Sequence, residues 1–140
     1  MELKKLKVDE DIANNGVWFQ YYEDFWLKIA STEVPEYRKN LPRRMRIGGR
    51  GFRDGTPPPE TLELIQAELF SKYIVRDWKG LQIDGKDVKH SQKKCYEILS
   101  DKQYRHLLNF VAACSSDVSE FVKEETEDAL GNSKASSNST

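Results

Sequence analysis

The chain has 140 residues, of which 38% are hydrophobic and 32% charged, and its formal net charge is −1. That length suits a single domain with one modest core, and the near-neutral balance excludes attraction of the whole molecule to nucleic acid or to an anionic membrane. No apolar run approaches the roughly 18 residues a membrane span needs, and the basic start at Met1 runs at once into acids, so no signal peptide is expected.

Residues 1–15 read as an N-terminal segment, followed by one globular domain over 16–131 and a Ser/Asn-rich tail over 132–140 with nothing to bury. Residues 17–22 and 25–30 predict two strands around Glu23-Asp24, because aromatic and β-branched residues suit a pleated surface and a two-residue gap suits a tight hairpin. Alternation puts Val17, Phe19 and Tyr21 on one face and Trp18, Gln20 and Tyr22 on the other; Phe25, Leu27 and Ile29 oppose Trp26 and Lys28. Apolar bulk on both faces implies that one face packs on the domain while the other is left for a partner.

Pro35 opens a predicted helix over 35–41, and Pro42 is expected to end it by disfavouring helix at the residue before. A basic Gly/Pro-rich loop is expected over 43–59. Leu62, Ile65, Leu69 and Tyr73 then recur at helical spacing. Trp78-Lys-Gly80 and Asp84-Gly-Lys86 are turn signals, with Trp78 as the aromatic anchor of that connection. Ser91 caps a short helix holding Cys95, Ile98 and Leu99. Ser100 and Gln103 form a capping box before the longest predicted helix, kinked near Asp117 and stopped at Gly131. The expected fold is α+β and predominantly helical, an N-terminal antiparallel β-hairpin packed on a three- to four-helix bundle. Leu62, Ile65, Leu69, Trp78, Leu99, Leu107, Leu108, Val111 and Phe121 are expected to be buried.

Candidate chemistry is sparse. Cys95 and Cys114 lack zinc-ribbon spacing and suit reduced thiols packed in a core, in a reducing compartment. His90 and His106 have no acid or cysteine arranged around them, no serine sits in a nucleophile elbow, and no carboxylate pair stands out. The expectation is no enzyme, no metal and no cofactor. Charge is unevenly spread, however. Arg38, Lys39, Arg43, Arg44, Arg46, Arg50 and Arg53 precede any acid in their stretch, whereas Asp117, Glu120, Glu124, Glu125, Glu127 and Asp128 make the chain's later part acidic. The basic stretch reads as a solvated loop, as a dock for an acidic protein surface, or as a site for nucleic acid; the acidic one reads as a solvated face or as its complement, within a molecule or between copies.

In order along the chain, Gly16-Val-Trp18, Lys28-Ile-Ala30, Pro35-Glu-Tyr37, Ile74-Val-Arg-Asp-Trp-Lys-Gly80, Asp84-Gly-Lys86, Ser91, Leu99-Ser-Asp101 and Phe121-Val-Lys-Glu124 form a series. In that order and spacing, the chain resembles the tail assembly chaperones of long-tailed bacteriophages and prophages. The resemblance implies a mostly helical, non-enzymatic protein of the bacterial host cytoplasm, absent from the mature virion. Its implied partners are the tape measure protein, which it keeps soluble during tail morphogenesis, and the tail tube subunits, with self-association. Trp18, Tyr22 and Trp26 would supply exposed aromatic surface, and Arg43, Arg44, Arg46, Arg50 and Arg53 a charged contact. The competing class is a small nucleic-acid-binding or regulatory adaptor using residues 43–53. The acidic later part argues against RNA.

Overall fold

The computed structural model describes residues 1–122. Expectations for residues 123–140 (the acidic end of the last helix, the stop at Gly131 and the polar tail) lie outside them.

Helix α1 (Glu10–Asn15) is capped by Asp9, whose carboxylate accepts from the backbone N–H groups of Asp11 and Ile12 at 2.9 and 3.1 Å. Gly16 ends it and leads into β1 (Val17–Tyr22), which turns at Glu23-Asp24 into β2 (Phe25–Ile29). The two pair antiparallel, Val17 opposite Ile29 and Phe19 opposite Leu27. Helix α2 (Pro35–Gly48) leads across a loop to α3 (Pro59–Leu69), which continues as a π-helical turn over Phe70–Ile74. In that turn the Val75 N–H reaches back to the Phe70 carbonyl.

Here the structure corrects the expected fold class. Val75–Lys79 is not a turn but a third strand, β3, antiparallel to β2, with Leu27 opposite Trp78 and Ile29 opposite Val75. The hairpin is therefore two strands of a three-stranded sheet, order β1-β2-β3, and not a ribbon laid on a helix bundle. Valine and tryptophan suit a half-buried pleat, and pairing also satisfies the backbone of β2 on its second edge. A second, two-stranded sheet follows, β4 (Gln82–Ile83) with β5 (Lys86–Asp87). Then come α4 (Gln92–Leu99), capped by the Ser91 hydroxyl, and α5 (Arg105–Ser115). Among the described residues the architecture is five α-helices with two small antiparallel sheets.

Further details also differ from expectation. The basic loop begins at Gly49, because α2 runs through Pro42 to Gly48. An interior proline costs a helix about 3 kcal/mol, but Pro42 sits on the exposed side, while Tyr37, Leu41 and Met45 of the same helix pack on the core. Arg44 pairs with Glu68 of α3 at 2.8 Å and fastens the second half. The last helix is shorter than expected. Asp101, rather than Ser100, caps a 3-10 turn before α5, and Asp117 caps another at Val118–Phe121, so α5 stops at Ser115 instead of continuing. Finally, Leu62 is only partly buried; the other eight expected core residues are buried.

The core lies between the sheet's inner face and α2–α5. Leu27, Ile29, Val75 and Trp78 meet Ile65, Leu69, Phe70, Ile74, Cys95, Leu99, Leu108 and Val111. The two ends of the described chain also meet: Val8 bridges Val122, the Asp9 N–H donates to the Phe121 carbonyl at 2.9 Å, and the buried Phe121 ring lies 6.5 Å from Phe19.

Candidate functional site

The period of the strands decides which aromatic side chains are left outside. Phe19, Tyr21 and Phe25 pack against the core cluster, and Tyr21 meets Phe110 with ring centroids 4.7 Å apart. Trp18 and Trp26 point the other way and join no part of that cluster. Register makes them diagonal neighbours, since Trp26 faces Gln20 and Trp18 faces Lys28. Lys79 of β3, opposite Trp26, lays its ammonium 4.5 Å from the Trp18 ring centroid and 5.4 Å from that of Trp26. Both indoles are half-buried and carry a cation over their faces, an arrangement that offers flat aromatic area beside one positive charge. Tyr22 is not part of this patch. It stands 68% exposed at the end of β1, where the register shifts by a bulge.

Tyr22 instead lines an open cleft of about 1070 Å³ between the β1–β2 turn, the β4–β5 hairpin, α4 and the start of α5. Tyr104 and Ile83, both exposed, line it too, with Leu81 and Ile98 deeper. Its wall carries five acids, Glu23, Asp24, Asp87, Glu97 and Asp101, against Lys94, whose ammonium is 3.0 Å from Glu97, with Gln82 and His106 also lining it. Sequence reasoning did not find this cleft, because its walls come from segments that only the fold brings together.

The arginines divide. Arg44 Nε and Nη2 both reach one oxygen of Glu68, at 3.1 and 2.8 Å, and Lys72 takes the other at 3.2 Å. Burial pushes the Glu68 carboxyl up, but those hydrogen bonds and charges outweigh it and hold it below the usual range. Arg44 is thus engaged within the chain. Among the described residues Arg43, Arg46, Arg50 and Arg53 are exposed and form no ion pair. Trp78 serves structure: it is 6% exposed, and its indole N–H donates to the Val88 carbonyl at 2.8 Å.

Burial raises the Cys95 thiol to about 11 and the Cys114 thiol to about 12, so neither is a thiolate at neutral pH. Among the described residues no group of three or more His, Cys, Asp or Glu side chains could hold a metal ion, and no helix is long and apolar enough to cross a membrane. His90 sits edge-on to Trp78, centroids 5.0 Å apart, with its Nε2 buried and unpartnered. Burial lowers its pKa, while Asp77 and a hydrogen bond with the Val75 backbone act in the opposite direction. Because the folded value lies below the unfolded one, of about 6.5, the unfolded chain binds the extra proton, and stability falls as pH drops through that value. The thermal midpoint should therefore decrease between about pH 7.5 and pH 5.5, and His90→Phe, which keeps a ring against Trp78, should flatten that part of the profile. An unchanged slope in the variant would assign the loss to other groups.

Compared with known proteins, residues 31–132 match the family model described as YdaY prophage protein. The match begins after β2, so it leaves out Trp18 and Trp26. No curated protein and no solved structure matches the chain.

Proposed function

The chain belongs to the YdaY family of prophage proteins, and from that premise we propose that it is a non-enzymatic tail assembly chaperone that binds and solubilises the tape measure protein. The observation that carries this reading is the pair Trp18 and Trp26, set on the outer face of the sheet, apart from the core, with Lys79 across both rings. Indoles give a large contact area for little conformational entropy, and such rings are enriched where protein surfaces meet. A long apolar helical client needs a surface of this kind, and a neighbouring ammonium suits the acids that flank apolar stripes on such helices. The place of action on this reading is the bacterial host cytoplasm.

The test is co-expression with the tape measure protein of the same prophage. The wild-type chain should keep that client soluble and co-purify with it, and Trp18→Ala with Trp26→Ala should remove most of the co-purified client. Neither indole belongs to the buried cluster, so the double variant should keep its far-UV spectrum. A client that is soluble without this chain, or one captured equally well by the double variant, contradicts the reading. Tight, sequence-selective RNA binding that is lost on reversing Arg43, Arg46, Arg50 and Arg53 would favour the adaptor class instead.

A further inference from the structure

Two surfaces of this chain are complementary, and neither takes part in the proposed client contact. The first is a knob. Arg46 and Ile47 fall three and four positions after Arg43, which puts the three on one side of the second half of α2, and Arg50 follows in the turn just after it. Phe52, 50% exposed, and Arg53 follow at once in the loop. The knob is therefore four guanidinium groups without an ion pair among the described residues, interleaved with two exposed apolar side chains. The second is the cleft beneath the β1–β2 turn, with Tyr22, Ile83 and Tyr104 exposed within it and Asp24, Asp87 and Asp101 at its edge. No residue of the knob lines the cleft.

We propose that copies of this chain associate head to tail, the Arg43–Arg53 knob of one docking in the aromatic, acid-edged cleft of the next. The occupant is a second copy because charge and apolar character match on both sides, and because both patches are carried by every copy. With a net charge of −1, the molecules hardly repel one another as wholes, so local complementarity sets the encounter. Two different patches make a heterologous contact, which leaves one knob and one cleft open at the ends of any finite row and so propagates or closes into a ring. Such a contact stands whether or not the client reading holds, since it needs no client.

Sedimentation velocity on the full chain, without any client, reads it directly. Average mass should rise with protein concentration at low salt and decline towards monomer as salt shortens the screening length below its physiological value of roughly 8 Å. Arg43→Glu with Arg46→Glu and Arg50→Glu should weaken association about tenfold or more, as should Asp24→Lys with Asp87→Lys. Mixing the two variants is the decisive step. The knob-reversed chain keeps its cleft, the cleft-reversed chain keeps its knob, and the two reversed surfaces are again opposite in charge, so the mixture should recover the association that each variant alone has lost. Recovered association in the mixture also establishes that both variants fold. A wild-type chain that stays monomeric at every concentration, an oligomer indifferent to salt and to both reversals, or two folded variants that do not pair would each overturn the proposal.

Discussion

Trp78→Ala should cost about 3–5 kcal/mol, the range for emptying a buried tryptophan site, out of the roughly 5–15 kcal/mol that holds a domain together. Three losses coincide there. The indole is 6% exposed, so its removal opens a cavity between β2, β3 and the segment leading to α4. Its ring neighbours, Phe25 at 6.4 Å and His90 at 5.0 Å, lose their edge-on contacts. The Val88 carbonyl loses the donor it has at 2.8 Å. Trp78→Phe separates these contributions, because a phenyl ring refills much of the space but cannot donate to Val88; its cost should be smaller, about 1–3 kcal/mol. Urea unfolding followed by far-UV circular dichroism measures both. A midpoint unmoved by Trp78→Ala would mean that the β3 anchor carries no stability.

Legibility in the sequence followed how locally each feature is determined. The strands 17–22 and 25–29, with Phe19, Leu27 and Ile29 on one face and Trp18 and Trp26 on the other, are visible in an alternation of period two, because pleating leaves a side chain no third option. The Ser91 cap and the helix after it are equally local. The third strand was hidden by its own neighbours. Val75–Lys79 is short and lies between a helix stripe and a glycine, and what makes it a strand is the free edge of β2, some fifty residues earlier. Pro42 misled for the opposite reason: the local penalty is real, but packing by Tyr37, Leu41 and Met45 and the Arg44–Glu68 pair override it.

The same distinction applies to the candidate site. Arg43 to Arg53 stand out in sequence as a run without acids, yet only the structure separates Arg44, tied to Glu68, from the arginines without an ion pair among the described residues. Helix α2 also changes the nature of that run. A loop would spread its charges over many conformations, whereas a helical turn fixes Arg43 and Arg46 on one side before any partner arrives and lowers the entropy lost on docking. The acids facing them in the proposed contact are scattered from Glu23 to Asp101, and no window of sequence contains them.

Gly80→Ala should be far more damaging than Gly85→Ala, although the two glycines have nearly the same backbone. Their φ angles are +81° and +79°, a region in which an L side chain costs about 1–2 kcal/mol. At Gly85, in the exposed β4–β5 turn, an added Cβ meets nothing within 4 Å, so that strain is the whole cost. At Gly80 the same Cβ would lie 1.9 Å from the Asp24 carbonyl oxygen and 2.6 Å from its carbon. Those are backbone atoms, which cannot rotate away, so the β1–β2 turn and the end of β3 must separate, adding about 1–3 kcal/mol as overpacking does elsewhere. The separation also has a functional consequence, because Asp24 and Gly80 both line the cleft. Gly80→Ala should therefore lower the urea midpoint more than Gly85→Ala and weaken salt-sensitive self-association, while Gly85→Ala leaves that association unchanged. Equal midpoints for the two variants would show that the close approach of β3 to the turn is not held in solution, and the shape of the cleft would have to be redrawn.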